Sequence, residues 1–315
     1  MDNISPSAAP AWVKFWGVRG SVPTPGPSTL QYGGNTSCLE VRADGQIIIL
    51  DGGTGLRLLG RELMNEFGDQ PLELTLLLTH THWDHIQGLP FFLPVYKERN
   101  RLRILGFEGA KHGLHNILSS QMESPFFPIG LPEVPANVAV EELQEMEFNV
   151  GPIQVKACLA NHPGVCVGYR LFTSSGSIAF FPDNEPHFGH PHDPNLRGSG
   201  NTTKLEYARK EDKRIAQFIK GADVLVMDAQ YDRAEYARHR GWGHACMDDV
   251  VQLALDSEVK RLFLFHHDPE HDDHKIDQMV AEARKMVGEK NGALQVEAAR
   301  EGAKVELATA ATPAH

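Results

Sequence analysis

Apolar residues along the chain fall into two rhythms. Six short stretches, 47–50, 72–78, 153–159, 178–181, 224–227 and 262–265, are apolar runs or alternate apolar with polar residues, and they predict strands. Between them, 56–67 places Leu58, Leu59, Leu63 and Phe67 at helical spacing, and 205–220 carries Leu205, Ile215, Phe218 and Ile219 on one side before Gly221, a C-cap glycine. Stretches 247–255 and 276–287 read the same way. Strands interleaved with helices predict an α/β protein. With 315 residues, 41% of them apolar, the chain can bury one large core, and no repeat or long linker divides it. Residues 11–305 are therefore expected to form a single domain, between disordered tails at 1–10 and 306–315.

The polar residues that interrupt this pattern are concentrated just after the strands. Thr79-His80-Thr81-His82-Trp83-Asp84-His85 follows the apolar run 72–78 and puts four metal-ligand types into six positions. In an extended segment side chains alternate faces, so His80 and His82 point the same way and can grip one ion through neutral imidazole nitrogens. Asp84 and His85, one tight turn further, are better placed for a second ion. Three histidines and a carboxylate suit Zn2+, with Mn2+ or Fe2+ also accepting such a set.

In this motif, HxHxDH, the chain resembles the metallo-β-lactamase superfamily, whose fold is a four-layer αβ/βα sandwich. The resemblance continues in order: His162 in Asn161-His162-Pro163-Gly164, Asp183 closing the strand 178–181, and His266 after 262–265, with His267 one position past the aligned place. It implies that His80, His82 and His162 hold one ion, that Asp84, His85 and His266 hold another, and that Asp183 lies between them. Such a pair would supply a metal-bound hydroxide near neutral pH. Asp51, at the end of 47–50, matches a buried aspartate that orients the metal-binding loop.

A second pair of residues selects among branches. Asp228 ends the strand 224–227, and His244 in Gly241-Trp242-Gly243-His244 follows sixteen positions later. This pairing resembles the ribonuclease Z-like and cyclic-phosphate phosphodiesterase branch, in which an acid and a histidine sit beside the scissile phosphate. The implied role of His244, oriented by Asp228, is to protonate the leaving oxygen. Ribonuclease Z carries a long basic arm between its third and fourth metal motifs. Here only 21 positions separate His162 from Asp183, and the net charge of −11 lacks the basic footprint of a nucleic-acid binder. The expected substrate is a small phosphodiester, a 3′,5′-cyclic nucleotide first, and nucleic acid is not the expected partner. The alternatives are a β-lactamase or lactonase type acyl hydrolase, a ribonuclease Z-like nuclease, and a non-enzymatic ligand sensor on the same fold.

The remaining features bound this reading. Arg19 and Asn35, in the opening hairpin, are candidates to reach substrate or to stabilise a turn. Cys38, Cys158, Cys166 and Cys246 are dispersed, no apolar run is long enough to span a membrane, and no signal-peptide pattern opens the chain, so the cytoplasm is the expected compartment. Residues 94–135 read as an addition to the superfamily minimum, with Phe126 and Phe127 as pocket wall or homodimer contact. Residues 184–203, with His187, His190, His192 and Asp193, read as a lid-like loop rather than a third metal site. His271 to His274 read as a polar loop before a helix.

Overall fold

The computed structural model describes residues 11–107, 113–187 and 202–307. The expected tail at 1–10, residues 308–315 of the tail expected at 306–315, and His190, His192 and Asp193 lie outside those residues. One sheet contains β1 (Trp12–Gly17), β2 (Cys38–Ala43), β3 (Gln46–Leu50), β4 (Glu73–Leu78), β5 (Arg101–Gly106), β6 (Asn137–Glu142) and β14 (Lys304–Glu306), in the order β14-β1-β2-β3-β4-β5-β6. The other contains β7 (Glu147–Val150), β8 (Ile153–Leu159), β9 (Val167–Thr173), β10 (Gly176–Phe181), β11 (Val224–Asp228), β12 (Arg261–Phe265) and β13 (Gln295–Ala298), in the order β13-β12-β11-β10-β9-β8-β7. In each sheet four consecutive strands run parallel, β3 to β6 and β10 to β13, and the rest pair antiparallel.

The parallel strands are apolar on both faces because both faces are covered. Along β12, Phe263 and Phe265 enter a core shared with the opposite sheet, while Leu262 and Leu264 face helices; β11 does the same with Val224 and Val226 against Leu225 and Met227. The first core joins the sheets through Phe15, Val41, Ile48, Leu77, Val155 and Phe180. Helices α4 (Thr202–Ile219), α6 (Met247–Asp256) and α7 (Asp273–Glu289) cover the second sheet, and α1 (Gly55–Phe67) and α3 (Leu114–Ser120) cover the first. The result is the expected four-layer αβ/βα sandwich. Truncating Phe265 to Ala in this core should cost about 3–5 kcal/mol.

Two expectations need correction. Residues 94–135 are not simply an addition, because Arg101–Gly106 pairs in parallel with β4 and β6 and completes the first sheet; its alternation of Arg101 and Arg103 with Leu102 and Ile104 hid it among the charged residues of 97–103. The carboxyl-terminal strand also reaches Glu306, which pairs with Trp12. Among the described residues, no helix is long and apolar enough to cross a membrane.

Candidate metal centre

The loops after β4, β8, β10, β11 and β12 converge at one edge of the sandwich, the carboxyl ends of their strands. After β4 the chain passes through His80 and His82 into the single turn α2 (Trp83–Ile86), which carries Asp84 and His85 on its buried side. His80 Nε2 and His162 Nε2 each lie within 3.0 Å of His82 Nδ1, and the carboxylate of Asp183 stands 3.7 and 3.5 Å from His80 and His162. Beside this group, His85 Nε2 is 3.2 Å from Asp84 and 3.1 Å from Asp183, and His266 Nε2 is 3.2 and 3.3 Å from the same two carboxylates. Asp183 thus faces both groups, one oxygen to each.

The far side of four of the five rings fixes the tautomer. Thr79 Oγ, which donates to Asp51, meets His80 Nδ1 at 3.1 Å; Asp51 accepts from His85 Nδ1 at 2.7 Å; the Gly243 carbonyl accepts from His162 Nδ1 and Gln230 Oε1 from His266 Nδ1, both at 2.9 Å. A proton on Nδ1 leaves Nε2 of these four rings as a bare lone pair aimed inward, while His82 faces the cluster through Nδ1. Burial lowers the pKa of His80, His82 and His162, which keeps these rings neutral, as metal ligation requires. Around His85 burial is outweighed by Asp84, Asp183 and Asp51, whose negative field raises its pKa. The buried His85 Nε2 and Asp183 Oδ1 have no hydrogen-bond partner. Converging lone pairs, clustered carboxylates and orphaned buried atoms form a donor set that fits divalent cations.

Backbone strain holds the frame. Asp51 and His266 adopt positive φ, 61° and 60°, unusual for residues other than glycine, and each ends a strand at the site. Asp51 accepts from Ser37 Oγ, Thr79 N and Thr79 Oγ as well as facing His85, so one carboxylate ties β2, β3 and β4 to the histidine turn. A Cβ on Gly20 would stand 2.2 Å from the His266 ring, so the opening loop can press against His266 only with glycine there.

His244 stands at the rim of the same site. Its Nδ1 lies 2.8 Å from Asp228 and 3.9 Å from Asp183, and its ring stacks on His266 with centroids 4.7 Å apart. Burial works against its protonation, yet Asp228 and Asp183 outweigh burial and hold its pKa up at about 9. The two carboxylates thus favour the protonated form of this ring.

All nine residues singled out from the sequence, His80, His82, Asp84, His85, His162, Asp183, Asp228, His244 and His266, meet here, and Asp51 stands behind them. His267 turns away and meets the Ala299 carbonyl at 2.9 Å. Arg19 does not reach the site: it is fully buried, donating to the carbonyls of Gly33, Asp268 and His271, and Asn35 is held by Glu301. The cysteines are buried and unpaired. His271 Nε2 lies 3.0 Å from Glu235, and Asp272 caps α7. Two residues went unnoticed in the sequence. Gln230 orients His266, and Glu185, inside the stretch read as a lid-like loop, is buried among the site loops. Their signal was position: each lies two residues past an acid at or just beyond a strand's carboxyl end.

Comparison with known proteins places this geometry. Residues 32–174 match the model of the metallo-beta-lactamase superfamily. A ribonuclease Z from Haloarcula marismortui is 25% identical over 300 residues, covering 86% of this chain and 90% of its own. Among solved structures, the metallo-beta-lactamase fold protein YhfI from Bacillus subtilis superposes with a TM-score of 0.65 at 17% identity, covering 95% of this chain and all of that one. A diphosphatase from the PhnP family superposes with a TM-score of 0.59 at 17% identity, covering 94% of this chain and 97% of that one.

Proposed function

We propose that this chain, whose residues 32–174 match the model of the metallo-beta-lactamase superfamily, is a metal-dependent hydrolase of phosphodiester bonds. His80, His82 and His162 would hold one divalent ion and Asp84, His85 and His266 a second, with Asp183 serving both; Zn2+ suits the donors first and Mn2+ or Fe2+ next. When bound, such a pair of ions supplies a nucleophile near neutral pH and neutralises charge on the phosphate. The observation that carries the reading beyond metal binding is the buried Asp228–His244 pair at 2.8 Å beside the donor cluster. An alkoxide leaving from phosphorus gains from such a proton donor beside it. His244 holds that proton at the mouth of the site, and Asp228 keeps the ring charged and aimed.

The substrate reading favoured by the relatives is an RNA phosphodiester. The sequence expectation that nucleic acid is not a partner gives way here, because a ribonuclease Z aligns along most of this chain. A small phosphodiester, a 3′,5′-cyclic nucleotide among them, remains the second reading on one specific observation. Between His162 and Asp183 the chain makes only β9 and β10 joined by short turns, with no arm to grip a large RNA, and the net charge is −11. Zinc- or manganese-loaded protein offered a tRNA precursor, 3′,5′-cyclic AMP and bis-p-nitrophenyl phosphate separates these readings, with Asp84→Ala as the blank. Salt-sensitive RNA cleavage supports the first and nucleoside monophosphate the second. Turnover of none of the three, in protein that binds its metals, would sink the phosphodiesterase reading.

A further inference from the structure

We infer that Glu185 is a positioning residue that controls the His80–His82–His162 cluster from outside it by locking together three loops; this rests on the proposed reading of that cluster as a metal site. Glu185 is 7% exposed. Its Oε1 accepts from Tyr236 Oη and Gly241 N, and its Oε2 from Gly241 N and Gly243 N, all within 3.0 Å. Its backbone N donates to the Asn161 carbonyl at 2.9 Å, and its own carbonyl accepts from Asn161 Nδ2 at 2.8 Å. One residue therefore joins the loop after β8, the loop after β10 and the loop that runs from α5 (Arg233–His239) to His244. The neighbouring Asn184 adds to the seam, accepting from Asn161 N through its side chain.

The consequence for the site runs through Gly243. Its N–H is pinned by Glu185, while its carbonyl fixes Nδ1 of His162 and so aims His162 Nε2 at His82. The approach is close: a Cβ on Gly243 would stand 2.4 Å from the His162 ring, and its φ of 90° suits glycine. His162 follows Asn161, which the Glu185 backbone holds, so the ring is gripped on one side through that backbone and on the other through the Glu185 carboxylate and Gly243. Removing the carboxylate leaves Gly241 N, Gly243 N and the Tyr236 hydroxyl buried without acceptors. The loop must then move to rehydrate them, carrying the Gly243 carbonyl away from His162. The histidines of the second cluster are oriented instead by Asp51 and Gln230.

The test is calorimetric titration of metal-free protein with Zn2+ and with Mn2+, using His162→Ala and Asp84→Ala to identify which step belongs to which cluster. Glu185→Ala should weaken the step that His162→Ala abolishes, by about 10–100-fold as outer contacts to ligands generally do, and leave the step that Asp84→Ala abolishes unchanged. Tyr236→Phe removes a single hydrogen bond, keeps the fold if Glu185→Ala does not, and should weaken the same step by a smaller factor. In a His162→Ala background Glu185→Ala should leave the one remaining step unchanged. Equal weakening of both steps, a weakened remaining step in that background, or two unchanged steps would each overturn the assignment. A wild-type protein that takes up neither metal would instead overturn the metal-site reading on which it rests.

Discussion

The two donor clusters differ in what assembles them. The His80–His82–His162 group brings three imidazoles and one carboxylate oxygen, and its rings are aimed by a hydroxyl and a carbonyl, neutral acceptors on neighbouring loops. The Asp84–His85–His266 group brings two carboxylates, with Asp51 directly behind His85, and is almost wholly buried. The first is a matter of ring orientation; the second is a matter of charge held in a low-dielectric setting. A cation at the second cluster offsets a larger electrostatic cost, so this cluster should bind more tightly. It should also respond most to loss of a charge, and the first to displacement of a loop.

The largest expected effect comes from removing charge. Asp84→Ala should lose the second ion and lower turnover on the order of 10^4-fold, as deletions of central catalytic groups do. Metal content measured beside turnover checks this, and full activity with a single ion would break the comparison. His244→Ala comes next: both ions stay, and kcat falls by about 10^2–10^4-fold for a ribose leaving group but much less for p-nitrophenolate, which needs no proton. With His244 acting as the acid, activity should decline as pH rises. The limb lies at or below about 9, because bound cations lower the value that Asp228 sustains. Asp228→Asn should move the limb to lower pH, and a kcat–pH profile unchanged in that variant would remove His244 as the donor. Asp51→Asn is milder, weakening the second ion by about 10–100-fold in a metal titration while sparing the first.

The same contrast explains what could be read from the sequence. The turn from His80 to His85 is contiguous, so its four ligand types announce themselves, and the two-sided apolar runs of β4, β11 and β12 marked the strands that carry ligands. Asp183, His266, Asp228 and His244 were legible because each follows such a strand or repeats a known order. The residues that hold the ligands were not. Glu185 looks like one more acid in a Pro- and His-rich stretch, and only the folded backbone brings Gly241 and Gly243, 56 and 58 positions away, to its oxygens. Arg19 is open in the sequence between reaching substrate and stabilising a turn, and folding decides for the second: its three acceptors are backbone carbonyls, two of them from the loop after β12.

That loop also yields the smallest effect, one on stability rather than rate. His266 and His267 are neighbours with opposite fates: His266 faces Asp84 and Asp183, whereas His267 is buried against Ala299 and Tyr32, and its backbone is bonded to Val18 and Gly20. Burial lowers the pKa of His267 to about 3, against 6.5 for an unhindered histidine. The unfolded chain therefore binds a proton that the folded chain refuses throughout that interval, and stability must fall as pH drops from 6.5 towards 3. Denaturant midpoints measured across that range should decline with acid in the wild type, and less steeply in His267→Gln, which keeps a donor for the Ala299 carbonyl without the titration. Because His267 frames the charged cluster and not the neutral one, metal titration of His267→Gln at neutral pH should leave the His80–His82–His162 step unchanged. Any loss should fall on the step that contains His266; a loss confined to the other cluster would mean that the two are not held separately.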